Sequence, residues 1–154
     1  MEKSLEEIKS EAIRLMKTHG LGDWTFQFDA RPVRRFGRCS YGLETISLSI
    51  KPIEAGRSWK NTRNTLLHEI AHALVGRGHG HDMVWRAKAI EIGCDGKTHS
   101  DAELSDPSKI FKYEATCPNG HKRYRNKPPR GRQSCGSCSS SFNLDYLLTW
   151  KKIG

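Results

Sequence analysis

His68-Glu69-Ile70-Ala71-His72 constrains this chain more than any other stretch, because its three reactive side chains act together only when a helix presents them. Residues four apart on a helix lie roughly 40° apart in projection, so His68 and His72 face one cleft and can bind one Zn2+. Glu69 projects beside them, placed to take a proton from a metal-bound water rather than to ligate the ion. Leu66, Leu67, Ile70, Ala71, Leu74 and Val75 form an apolar stripe at helical spacing, and neither Gly nor Pro interrupts residues 58–75. Gly76 is the expected stop. A core helix whose histidines only hydrogen-bond would suit a lone His. Two His and a Glu in this order imply the chemistry of a zinc peptidase.

Such a site needs a third protein ligand and an open fourth position, so another donor must return to the metal soon after the helix. Gly76, Gly78 and Gly80 permit a tight reversal, and two candidates lie on it, His79 and His81. A second helix is expected next, with Val84, Ala87, Ile90 and Met83 on its apolar side. It should end near Gly93, with His81 at its first turn.

The order His-Glu-x-x-His, a short Gly-containing turn, and then His81-x-x-x-Trp85 opening a helix resembles the SprT-like (Spartan-type) metallopeptidases. The resemblance implies His81 as the third ligand, with Trp85 at the family's aromatic position. The family's frequent His-Gly pair would instead fall on His79-Gly80, where no aromatic follows four residues later. The metzincin arrangement, with a third His six residues after the second, does not fit, since position 78 is Gly. A thermolysin-type acidic ligand is equally absent, because Glu91 in its Ala-Ile-Glu-Ile context reads as solvated surface.

A second cluster lies near the C-terminus. Cys117-Pro-Asn-Gly-His121 is followed, after a basic stretch, by Cys135-Gly-Ser-Cys138. Two such knuckles can clamp one tetrahedral zinc through three thiolates and an imidazole, a closed structural site of the zinc-ribbon kind. The first knuckle is Cys-x-x-x-His instead of the commoner Cys-x-x-Cys. A redox Cys-x-x-Cys would need a strand and a helix around it, whereas Gly and Ser surround Cys135 and Cys138. The SprT-like resemblance extends here, since many members carry a zinc ribbon directly after the protease domain.

The 154 residues can hold one core of about 100 residues plus a metal-stapled module too small for a core of its own. The expected organisation is α+β: a small zincin-like metallopeptidase domain over residues 1–96, with helices and a short sheet, and a ribbon over 109–150. The polar connection from Cys94 to Ser108 holds the boundary. Trp24, Phe26 and Phe28 alternate with polar residues, as do Ile46, Leu48 and Ile50 with serines, so both read as half-buried strands, the second ended by Lys51-Pro52. An edge strand beside the metal helix can pair with an extended substrate.

No segment is apolar enough to span a membrane, and the charged start, Met1-Glu2-Lys3-Ser4-Leu5-Glu6-Glu7, opens an amphipathic helix and not a signal peptide. A cytoplasmic location follows as the expectation. In a reducing compartment the five cysteines point to metal binding, with Cys39 and Cys94 left as free thiols.

The formal net charge is +9, unevenly spread. Arg31, Arg34, Arg35 and Arg38 crowd one loop, while Lys122, Arg123, Arg125, Lys127, Arg130 and Arg132 lie between the knuckles without an acidic residue among them. Such a run suits phosphate backbones read without regard to sequence, and Tyr124 within it can stack on an unpaired base. The resemblance agrees, since SprT-like proteins act on proteins bound or crosslinked to DNA. The expected protein is a zinc endopeptidase with two zinc ions, one catalytic and one structural, and with protein substrates and DNA as partners. The competing reading is a nucleic-acid-binding or assembly protein whose metal site is only structural.

Overall fold

Two units make up the chain, Met1–Ser105 and Asp106–Gly154. The structure is a computed structural model and describes residues 3–31, 35–98 and 104–154. Met1, Glu2, Arg34 and the middle of the polar connection, residues 99–103, lie outside the described residues. Among the described residues no helix is long and apolar enough to cross a membrane.

In the first unit, Ser4 caps helix α1 (Leu5–Thr18) by accepting the Glu7 N–H at 3.2 Å, and Glu6 and Glu7 sit at the positive end of the helix dipole. Its buried face carries Ile8, Ala12, Leu15 and Met16. Strand β1 (Thr25–Asp29) then pairs in parallel with β3 (Thr45–Ser49), and β2 (Gly37–Ser40) pairs antiparallel with the other side of β3. The sheet order is β1-β3-β2, so β2 is an edge strand.

Three expectations change here. The β3 serines were expected to face outward, yet Ser47 and Ser49 are buried along with Ile46 and Leu48, because β3 is the central strand. Ser49 Oγ offsets the cost by donating to Arg35 O at 2.7 Å. The strand stops at Ser49, and Ile50 opens the short helix α2 (Ile50–Glu54). Pro52 is tolerated there because first-turn N–H groups have no intrahelical acceptor. Arg38, expected in a loop, lies on β2, a strand too short and too polar to show an alternating pattern.

Helix α3 (Trp59–Val75) begins where Ser58 Oγ accepts the Asn61 N–H at 3.1 Å and ends at Gly76, whose φ of +82° an L side chain would resist. Leu66, Leu67 and Ile70 are 0% exposed, each contributing about 1.5–3 kcal/mol through burial.

Helix α4 (Met83–Glu91) turns the opposite way from its apolar pattern. Met83, Val84 and Ile90 are exposed, and the buried stripe is Trp85 with Ala89, both at 0%. One indole fills the space against α3, and its bulk outweighs three smaller aliphatic residues in deciding which face goes in. Asp82 is the N-cap, so His81 precedes the helix instead of occupying its first turn.

The second unit is a three-stranded antiparallel sheet of order β5-β4-β6, built from β4 (Tyr113–Thr116), β5 (Lys122–Arg125) and β6 (Thr149–Lys152). Its apolar interior is slight, with Ala115, Cys117 and Cys135 as the buried apolar positions.

Candidate metal centre

Helix α3 delivers His68 and His72 from adjacent turns, and the turn ahead of α4 returns His81 to meet them. Their Nε2 atoms form a triangle with edges of 3.3 Å (His68–His72), 3.2 Å (His72–His81) and 3.0 Å (His68–His81). Each neutral imidazole has one N–H, which addresses one acceptor at a time, so hydrogen bonds cannot satisfy three ring nitrogens that all face one another. A cation at their centre does satisfy them. Tetrahedral coordination with metal–N distances of about 2.05 Å places ligand nitrogens about 3.3 Å apart, which matches the triangle and leaves a fourth position for water or substrate.

Burial holds His68 and His72 to pKa values of about 4, with neighbouring imidazoles adding to the effect. Both rings are therefore neutral at pH 7, the state that ligates metal.

His79, the other candidate, does not join the triangle. Its Nδ1 lies 3.0 Å from Asp82 Oδ2, while Asp82 Oδ1 accepts the Trp85 N–H, also at 3.0 Å. His79 thus ties the turn to the N-cap of α4 and leaves His81 to face inward. Glu91 is exposed and paired with Lys88, as expected for a surface residue.

Glu69 follows His68 on α3 and lies against β2. Burial raises its carboxyl to about 7, with Arg35 pulling weakly the other way. Close passage of β2 depends on Gly37, since a Cβ there would stand 2.8 Å from Thr65 Cγ2 and 3.2 Å from Glu69 Cγ. Farther along the same strand, Cys39 has its thiol pushed up to about 12 by burial and the Glu69 charge, so it is inert as a nucleophile. Cys94 is a second free, buried thiol.

Two contributors to the site were not foreseen from sequence. Tyr41 follows β2, and its hydroxyl donates to His72 O at 3.2 Å while Arg77 lies over its ring at 5.6 Å. No local spacing links Tyr41 to His72. Trp85 donates its Nε1–H to His68 O at 3.3 Å and touches all three imidazoles. Its aromatic position was legible, but its three contacts were not.

In the second unit Cys117, His121, Cys135 and Cys138 converge. His121 Nδ1 lies 3.4, 3.5 and 3.3 Å from the sulfurs of Cys117, Cys135 and Cys138, and the Cys117 and Cys138 sulfurs are 3.8 Å apart. A tetrahedral ion with Zn–S near 2.3 Å requires edges of about 3.6 Å for S–N and about 3.8 Å for S–S, so this group also fits zinc. The His121 N–H points at Cys117 Sγ at 3.3 Å, with Gly120 at φ +86° allowing the turn. Although burial opposes it, the N–H groups of Cys138 and Ser137 draw the Cys135 thiol down to about 6, toward the ligating thiolate.

The six basic residues do not share one face. Strand alternation places Arg123 and Arg125 on one side of β5 and Lys122 on the other, while Lys127, Arg130 and Arg132 stand exposed on the following loop. Arg123 donates to Ser137 Oγ at 2.6 Å and so braces the second knuckle. Arg125 lies over Trp150 at 5.7 Å. Lys122 pairs with Glu114 at 3.3 Å, and Tyr124 is stacked on Phe111, with centroids 5.3 Å apart.

Compared with known proteins, residues 5–105 match the model of the SprT-like family. No curated protein matches the chain.

Proposed function

The chain belongs to the SprT-like family, and we propose on that basis that it is a zinc-dependent endopeptidase acting on proteins bound or crosslinked to DNA. The observation that carries this reading is the triangle of His68, His72 and His81, with Glu69 next to His68 on α3. Zinc held there by His68, His72 and His81 would supply a Lewis acid for the scissile carbonyl and lower the pKa of the attacking water. Glu69, poised near neutrality by burial, accepts the proton and returns it to the leaving amine. Edge strand β2, running beside Glu69, is placed to pair with an extended substrate.

In this reading the second unit is a zinc ribbon, a module whose fold depends on its own ion because its apolar core is slight. The exposed Lys127, Arg130 and Arg132 and the net charge of +9 support recruitment to DNA through phosphates. The test is metal dependence. Cleavage of a DNA-bound protein should disappear when a chelator strips the histidine site and return on adding zinc. Full cleavage by the stripped protein would overturn the proposal.

A further inference from the structure

Trp85 is 0% exposed and contacts every member of the histidine triangle. Its ring centroid lies 4.6 Å from that of His68, 5.2 Å from His72 and 4.7 Å from His81, nearly parallel to His72 at 24° and nearly perpendicular to His81 at 81°. Two of these rings come from α3 and one from the turn ahead of α4, so a single indole joins segments that the backbone keeps apart.

The indole N–H donates to the carbonyl of His68 itself, which by helical pattern also faces the His72 N–H. A buried indole needs an acceptor somewhere; here it is the backbone of a ligand residue. The backbone N–H of Trp85 is taken up by Asp82, the carboxylate that also holds His79.

His81 needs such support most. It is exposed and follows Gly76, Gly78 and Gly80, all at positive φ. An indole face that restricts the His81 ring before metal arrives lowers the ordering cost of binding.

We propose that Trp85 is a positioning residue. Its indole is the platform on which the three imidazoles are set in ligating geometry before metal arrives, so it governs metal affinity at this site as well as packing. The inference rests on the metal-site reading above.

The experiment measures zinc affinity by chelator competition, and the visible spectrum of Co2+, in protein whose cysteine site stays loaded with zinc. Absence of a thiolate charge-transfer band confirms that cobalt occupies the histidine site. Trp85→Leu should weaken zinc roughly 10–100-fold and change the cobalt band shape, and Trp85→Phe, which keeps a ring but loses the N–H, should fall between it and the unchanged protein. Leu15→Ala, a cavity in the same core away from the triangle, should lower thermal stability yet leave zinc affinity and the cobalt band unaltered.

Trp85 variants that bind zinc within about twofold of the unchanged protein would overturn the proposal, as would a Leu15→Ala protein that loses affinity equally. Should both Trp85 variants fail to fold, a protein with Trp24, Trp59 and Trp150 replaced by Phe leaves Trp85 as sole indole. Cobalt should then quench its emission to saturation at one equivalent, and unquenched emission at saturating cobalt overturns the inference. If the unchanged protein holds only the cysteine-bound zinc, the metal-site reading fails and this inference falls with it. Normal affinity with indifferent Trp85 variants sinks the inference alone.

Discussion

His81 Nε2 stands 3.0 Å from His68 Nε2, although thirteen positions and a glycine-rich turn separate the two residues. His79, closer in sequence, instead spends its Nδ1 on Asp82. His81→Ala should therefore abolish zinc binding at the histidine site. His79→Ala should weaken it only modestly, by loosening the turn. Native mass spectrometry of the two variants checks this, and the reverse order would show that the third donor has been misassigned.

The depressed histidines set a pH dependence. In the metal-free protein His68 and His72 titrate near 4, against an ordinary value of about 6.5 in the unfolded chain, so the unfolded state binds protons first as pH falls. Their contribution to stability is present above about 6.5 and is lost progressively toward 4. Glu69, raised to about 7, acts with the opposite sign, because its folded form is the first to be protonated. Metal-free Glu69→Gln protein removes that opposition. Its melting temperature should drop from pH 7 to pH 5 more than that of the unchanged metal-free protein, and an equal or smaller drop would contradict the assignment.

Cys135 is 0% exposed and belongs to the four-residue cluster of the second unit. Cys135→Ser should cost that unit its zinc and its fold while the first unit stays folded, since bound metal supplies most of the stability of so small a module. NMR spectra resolve the two outcomes. Retained second-unit shifts in zinc-free Cys135→Ser would refute a structural ion.

On the loop after β5, Lys127, Arg130 and Arg132 are free of the bracing role that Arg123 has at Ser137. Replacing these three with Gln should weaken DNA binding and reduce the log–log salt slope by roughly 2–3, the counterions released by three phosphate contacts. Peptide cleavage should be unchanged. An unaltered salt slope would leave this loop without a role in DNA recruitment.

Much of the first unit was legible because its signals are local. Gly76 ends α3 where the sequence placed the stop, and the four-residue spacing of His68 and His72 needs no tertiary knowledge. The third donor was narrowed to two residues, His81 being the one the resemblance implied, and the turn geometry brings His81 and not His79 to the triangle. What stayed hidden depends on contacts distant in sequence. Tyr41 meets the carbonyl of His72 across 31 positions, and β2 has no alternating pattern. The inward face of α4 was read backwards because periodicity weights Met83, Val84 and Ile90, whereas packing is decided by one indole that finds its place only against the histidines of α3.

Glu69→Gln tests the central claim most directly, because the amide keeps the size of the side chain but not its basicity. With zinc content at the histidine site verified to match that of the unchanged protein, cleavage of a DNA-bound protein substrate should fall by roughly 10²-fold or more. A zinc-loaded Glu69→Gln protein that cleaves at the original rate would contradict Glu69 as the base, and an unchanged zinc-loaded protein that cleaves nothing would leave the histidine centre with a structural role.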